Sequence, residues 1–264
     1  MFIPFKFNKM LSDIRNLYLT DEYILNHPNL HEQDSPWKLT KIKPLIDIFI
    51  KENKDSINIL DVGGGAGLIL NTTSKYIEEN KIKVNKFALD LSKSMLKIQK
   101  KNNPDLKKTL NEDISKTSFK NKEIDLTLMI DVLEHIPDPE KALKELKRIS
   151  KFIIFKIPLE DNLYFNSWNF IKKGIPRKEA IEKTGHINVY NFNNLRKQIE
   201  ENVEEIIDYK FTNVFNYYLN SKDNKNNLKL KNKMINHSAN LLFKISPKFC
   251  SKIFNDFVIF LVKS

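Results

Sequence analysis

An acid placed two residues ahead of a glycine cluster, Asp61-Val62-Gly63-Gly64-Gly65-Ala66-Gly67, is the stretch of this chain best suited to hold a ligand. Glycine lets the main chain take positive φ and lets a ligand approach the backbone closely. A helix that begins there offers unpaired N–H groups. The spacing discriminates between cofactors. A dinucleotide turn needs G-x-G-x-x-G. Counted from Gly63 the third position is Leu68, and counted from Gly64 the second is Ala66. A phosphate-binding P-loop needs Gly-Lys-Ser/Thr, yet Gly67 is followed by Leu68 and Ile69. A second acid, Asp90, closes the run Val84–Leu89. A carboxylate there can accept two charge-assisted hydrogen bonds from a ribose diol, and such bonds are short and strong.

These side chains need strands and helices to position them. The β-branched run ending at Val62 predicts a first strand, and residues 67–79 have the composition of a helix. Val84–Asp90 predicts a second strand, with Ser92 as the N-cap of the next helix. Lys108–Leu110 is a weaker third strand, and Ile124–Ile130 is a buried fourth. Asp138 as N-cap and Pro139 in the first turn start a helix over residues 140–149. Phe152–Pro158 is the fifth strand. Alternation of this kind argues for an α/β fold with a parallel sheet covered on both faces. Ligands bind such sheets outside the carboxyl ends of the strands. Asp61, Asp90, Asp113, Asp131 and Pro158 are all expected there.

With Asp61 ahead of it, Gly63-x-Gly65-x-Gly67 resembles the first motif of the class I S-adenosylmethionine (SAM) methyltransferases, and Asp131 to Pro139 resembles the segment after the fourth strand in their type 11/12 group. The resemblance covers roughly residues 30 to 215. It implies a three-layer, Rossmann-like, seven-stranded sheet, mostly parallel, with an antiparallel last strand. Val203–Thr212 and Phe257–Val262 are the candidates for strands six and seven. It also implies a SAM site built from Asp61, Gly63, Gly65, Gly67, Asp90, Leu91, Asp113, Ile114 and Asp131. Asp113 would read the adenine amino group, with Ile114 as an apolar wall.

A second likeness lies before the cradle. Residues 29–38 (Asn-Leu-His-Glu-Gln-Asp-Ser-Pro-Trp-Lys) resemble a segment of a bacterial subset of these enzymes, with Gln33 as an interruption. Ser35 and Pro36 open a helix to about Ile50. Residues 1–55 are thus expected to form a helical lid ahead of the methyltransferase domain, 56–264. Trp37 either stacks on the cofactor or packs in the lid. His31 reads as a surface histidine.

Transfer of a methyl group to an alcohol or phenol needs a general base, whereas an amine needs only to lose its proton. His186, His135 and Glu160 are the candidate bases, because a histidine near neutral pKa suits that task. His135 and His186 have structural readings too, as loop-anchoring residues. Asp131-x-x-Glu134-His135 resembles the Glu-x-x-Glu-His pattern that binds a divalent metal in some methyltransferases of catechols or RNA 3′ ends. Aspartate replaces the first Glu, and no metal is expected.

Composition bounds the partners. Only four of 44 basic residues are arginine, so the net charge of +11 does not read as a nucleic-acid surface. The Lys222–Lys233 tract is a solvated loop or a contact for an anionic surface, leaving peripheral membrane contact open. The lone Cys250 excludes an internal disulfide, and no run approaches the roughly 20 apolar residues of a membrane span, so a cytoplasmic protein is expected. Residues 159–190 and 213–256 are expected as cap insertions, with Tyr164, Phe165, Trp168 and Phe170 either walling an acceptor pocket or forming the underside of a cap helix. The acceptor is expected to be a small or amphipathic molecule methylated on O or N: a sugar, a lipid-linked intermediate, a quinone precursor or a natural product. The alternatives are a metal-assisted RNA 2′-O-methyltransferase and a non-catalytic SAM-binding protein. A nucleotide-dependent oxidoreductase is disfavoured by the glycine spacing.

Overall fold

The computed structural model describes residues 19–20, 24–25, 30, 32–52, 56–221 and 228–264. His31 and the first half of the Lys222–Lys233 tract lie outside the described residues. Seven strands form one sheet in the order β3-β2-β1-β4-β5-β7-β6. They are β1 (Ile57–Val62), β2 (Val84–Leu89), β3 (Lys108–Leu110), β4 (Ile124–Ile130), β5 (Ser150–Leu159), β6 (Glu205–Phe211) and β7 (Asp256–Lys263). The first five pair in parallel, and β7 runs antiparallel to both β5 and β6.

The inner strands are nearly continuous apolar runs because both of their faces are covered. Along β1, Leu60 and Val62 enter one core while Ile57 and Ile59 enter the other. Helix α1 (Ser35–Glu52) covers the second core with Ile42, Leu45, Ile46 and Phe49, all fully buried. On this face it is joined by α2 (Leu68–Glu79) and α3 (Lys93–Asn102), through Leu70, Ile77 and Leu96. Helix α4 (Pro139–Ile149) covers the first core through Ala142, Leu143 and Leu146. The caps are those the residue types dictate. Ser92 Oγ accepts from Met95 N at 3.1 Å, and the Asp138 carboxylate accepts from Lys141 N at 3.2 Å. Strand order reverses direction between β1 and β4, so the crevice at their carboxyl ends is the natural ligand site.

Two boundaries differ from expectation for physical reasons. β5 is longer than Phe152–Pro158, starting at Ser150, whose hydroxyl pairs with Thr127 Oγ1 at 2.7 Å. β6 is shorter than Val203–Thr212: Val203 caps a helix, and the Thr212 hydroxyl bonds the buried Asp256 carboxylate at 2.8 Å. The segment after β5 folds into α5 (Leu163–Ile171) and α6 (Ile175–Thr184), followed by α7 (Phe192–Asn202). The long link before β7 carries α8 (Val214–Asn220), α9 (Leu230–Ile245) and α10 (Pro247–Ile253). A small third core of Val214, Phe215, Ala239 and Cys250 ties that link to Trp37. Among the described residues no helix is long and apolar enough to cross a membrane.

Candidate functional site

A cavity of about 350 Å³ opens at the carboxyl ends of β1, β2 and β4. Gly63, Gly65, Asp90, Leu91, Asp113, Ile114, Asp131 and His135 all line it, although they are spread from residue 63 to residue 135. A smaller cavity of about 100 Å³ shares Gly63, Gly65 and Asp131 with it and adds Asp61, Gly64, Ser35 and Lys38. Gly63 and Gly65 both have positive φ, at 61° and 54°. Gly64 does not, but a Cβ there would lie 1.9 Å from Asp61 Oδ2. Gly64 falls outside the Gly63-x-Gly65-x-Gly67 spacing, and only the packed turn shows its constraint.

Five expected positions lie elsewhere, among them His186, which lines neither cavity and meets the larger one only through the His135 ring. Gly67 takes φ 76° at the start of α2, but a Cβ on it would meet Asn103 Nδ2 at 2.8 Å and the Gln99 side chain at 3.3 Å. Its smallness serves the contact between α2 and α3, outside the lining of either cavity. Trp37 stacks on Tyr217 at 4.6 Å and sits edge-on to Phe257, so of its two readings the packing one matches its position. Pro158 pairs with Phe257 inside the sheet and lines neither cavity. Glu160 lies behind His186: its Oε1 is 2.9 Å from His186 Nδ1, and its Oε2 is 3.9 Å from Arg177. The cluster of Tyr164, Phe165, Trp168 and Phe170 lines neither cavity either, and α5 buries none of its residues.

The acids sit in unequal environments. Asp61 is buried with Oδ2 unpartnered, and desolvation, reinforced by the charge of Asp90, pushes its pKa up to about 7. Burial likewise raises Asp90 to about 6, against the pull of its hydrogen bonds from the Ser92 and Leu91 backbone. For Asp131 burial would act upward too, but Lys156 and Lys38 outweigh it and hold the carboxyl well below the usual range. The Lys38 ammonium lies 3.0 Å from Asp131 Oδ2 and 3.2 Å from Asp34. Lys156, only 1% exposed, approaches Asp131 Oδ1 at 2.5 Å. Neither lysine is visible as a partner in the sequence, because β5 and α1 bring them in from far away.

Glu134 is fully buried with both carboxylate oxygens unpartnered. Burial, followed by the charge of Asp131, pushes it up to about 8. Beside it, the His135 and His186 rings meet edge-on at 4.8 Å. Burial drives His135 down to about 4. For His186 burial acts in the same direction, but the hydrogen bond and charge of Glu160 overcome it and leave the pKa raised. The loop carrying His186 is clamped to the turn after β4 by Asn188. Its side-chain amide donates to the Leu133 and Ile136 carbonyls at 3.1 and 2.7 Å, and its backbone N–H donates to the Glu134 carbonyl at 3.0 Å. Glu134, His135 and His186 each bring one potential ligand atom within 4.8 Å of the others.

Asp61 makes the ligand-free fold sensitive to pH. A carboxyl raised on folding contributes stability that is full below its unfolded pKa, near 4, and is lost as pH rises through the folded value near 7. Subtracting the stability curve of Asp61→Asn from that of the wild type should isolate a fall of about 4 kcal/mol at most across that range. Urea melts at closely spaced pH values measure it, and a flat difference curve would show that Asp61 is not a strained buried acid.

Residues 60–151 match the family profile described as "Methyltransferase domain". No curated protein matches the chain by sequence. Among solved structures, geranyl diphosphate C-methyltransferase from Streptomyces coelicolor A3(2), in complex with Mg²⁺, geranyl diphosphate and S-adenosyl-L-homocysteine, is similar in fold. Its TM-score is 0.54 at 8% identity, over 88% of this chain and 84% of that one. Phosphoethanolamine N-methyltransferase 2 of Haemonchus contortus, in complex with SAM, gives 0.51 at 13% identity over 84% of this chain, which spans 52% of that enzyme. A [4+2]-cyclase, SpnF, gives 0.54 at 10% identity over 84% and 80% of the two chains. Likeness at such identities establishes the fold, and the chemistry rests on the profile match that contains the glycine turn. Residues 60–151 therefore match a methyltransferase domain, set in a fold that the solved SAM-dependent methyltransferases share.

Proposed function

We propose that this enzyme methylates an oxygen or nitrogen of a small or amphipathic molecule bound next to His135. The observation that carries this reading is the position of His135, which lines the cofactor-sized cavity and touches the His186–Glu160 pair. The donor set suits the cofactor. Asp61 holds a buried, unpartnered carboxylate oxygen beside the glycine turn, an acceptor awaiting a cationic or N–H group. Asp90 would take the ribose, and Leu91, Ile114 and Met95 supply apolar walls for the base. Lys38 and Ser35 in the adjoining cavity suit a carboxylate. Bound SAM supplies a methyl group activated on a sulfonium.

The protein contributes positioning and, for a hydroxyl acceptor, removal of a proton. Well-oriented displacements gain on the order of 7–11 kcal/mol from positioning alone. A carboxylate can only accept, so Glu160 takes the Nδ1–H of His186 and leaves Nε2 as the basic atom. Glu160 acts through His186 as an orienting partner in place of the direct base expected from sequence. His135, neutral at physiological pH, borders the acceptor's side of the cavity.

A second reading is favoured by the convergence of Glu134, His135 and His186. The same three side chains have the chemistry to hold a divalent cation that orients an acceptor oxygen. One experiment separates the readings. With labelled SAM and fractionated extract, His186→Ala should lower turnover at least about 100-fold and leave SAM affinity, measured by titration calorimetry, within about twofold of wild type. On the base reading, chelator leaves wild-type turnover unchanged; on the metal reading it mimics His186→Ala and Mn²⁺ restores activity. Intact SAM binding with no labelled product in any fraction would point to a non-catalytic role.

A further inference from the structure

The cap helices expose an apolar surface that the cofactor site does not use. On α5, Phe170 is 85% exposed and Ile171 72%, and Trp168, three residues before Ile171 and so beside it, is also exposed on a helix that buries none of its residues. On α9, Leu241 and Ile245 are four residues apart and so share a face. Ile245 is 82% exposed, while the helix turns only Asn236 and Ala239 fully inward. Phe249 on α10 continues the stripe, and α10 packs against both α5 and α9, which joins the two patches. Exposed apolar area of this extent marks an interaction site.

Charge identifies the partner. No acidic residue occurs between positions 162 and 178 or between 228 and 255. The same stretches carry Lys172, Lys173, Lys231, Lys233, Lys244 and Lys252, all exposed and none with an acidic partner among the described residues. Elsewhere on the molecule lysines are commonly paired, as on α4 and α7. Large aliphatic and aromatic side chains set among unneutralised lysines suit the boundary of an anionic bilayer. There the apolar groups enter the acyl region and the lysines meet headgroup charge. A nucleic-acid surface would offer stacking rings and arginine with few exposed aliphatic groups.

We propose that the α5–α9–α10 face docks on an anionic membrane surface. Helix α5 starts three residues after Glu160, so a docked cap holds the His186–Glu160 pair close to the lipid boundary. Docking is independent of the methyl-transfer reading, because it is measured with neither SAM nor acceptor present.

The test is co-sedimentation of the full chain with vesicles of phosphatidylcholine alone or with about 30 mol% phosphatidylglycerol, a level typical of anionic leaflets. The expected result is partitioning onto the anionic vesicles at least about tenfold above the neutral ones, weakened by salt. Phe170→Ser/Ile171→Ser and Leu241→Ser/Ile245→Ser should each lower the partition coefficient by about tenfold or more, the scale of removing buried apolar side chains. Lys172→Glu/Lys173→Glu should lower it on anionic vesicles alone. All these positions are exposed, so melting temperatures should match wild type and serve as the folding check. Equal partitioning on the two vesicle types, no partitioning at all, or variants equal to wild type would overturn the proposal. Binding of single-stranded RNA with no vesicle binding would overturn it in favour of a nucleic-acid surface.

Discussion

Replacing Gly64 with alanine is expected to weaken SAM binding by about 100-fold while leaving the melting temperature within a few degrees of wild type. The backbone at Gly64 is not in the left-handed region, so alanine costs little there on conformational grounds. The collision is what matters. The new Cβ would lie 1.9 Å from Asp61 Oδ2, 2.3 Å from its Cγ and 2.8 Å from Oδ1, and no such contact survives. A carboxylate at the end of a short side chain can swing aside, which spares the fold. It then leaves the place where it faces the cavity. Hydrogen bonds to a charged group contribute about 1.5–3 kcal/mol each, which sets the expected loss. Titration calorimetry with SAM reads the affinity and a thermal melt reads the fold. An alanine variant that binds SAM like wild type would remove Asp61 from the cofactor site. A variant that unfolds would show that the turn, and not the carboxylate, is what Gly64 protects.

Lys156→Met should destabilise the protein by about 3 kcal/mol, the lower end of the range for breaking a buried ion pair from one side. Lys156 is a charged residue in the interior of β5, with its ammonium against Asp131 and 3.5 Å above the ring of Phe257. Burial lowers its own pKa even with Asp131 opposing that trend, so it is held charged by its neighbours and not by water. Methionine fills the space and keeps the packing, but Asp131 is left with Lys38 alone. For a chain of this size the expected fall in melting temperature is about 6–12 °C. Lys156→Met/Asp131→Asn should recover much of it, because removing both partners avoids a stranded buried charge. Asparagine also tolerates the positive φ of 57° found at Asp131. Chemical denaturation of the three proteins decides the matter. A single variant as stable as wild type would mean that Lys38 satisfies Asp131 unaided.

How much of this was legible in the chain depended on distance along it. Strands β1, β2, β4 and β5 could be read because each is an apolar run with local end signals: Asp61, Asp90, Ser92 and Asp138 all report their elements within a few residues. The cavity could be read for the same reason, since every strand of a parallel sheet delivers its final residue to the same edge. The Asp131 ion pairs could not be read. Nothing near Asp131 announces that Lys38 from α1 and Lys156 from β5 will close on it. The glycines show the same limit. Gly63, Gly65 and Gly67 matched a spacing, yet Gly67 is small for the sake of Asn103 and Gln99, while Gly64, absent from the spacing, faces Asp61. The aromatic cluster on α5 was legible as apolar but not as uncovered, because periodicity does not say which faces find a neighbour. Trp37 was an even choice for that reason, and in the fold it stacks on Tyr217.

The position of β7 bears on how the molecule comes into being on the ribosome. It follows β6 in the chain, yet it lies inside the sheet, paired along eight residues to β5 and along its other edge to β6. Until Lys263 has been synthesised and released from the exit tunnel, β5 keeps an open seam from Phe152 to Leu159, and β6 has no strand to join. Such a seam is an unpaired apolar edge of the kind that recruits other nascent chains. The larger ligand cavity has no such wait, since every residue lining it precedes Pro139 or falls in the first turn of α4. During translation, this protein has all the parts of its cofactor pocket long before it can close its sheet.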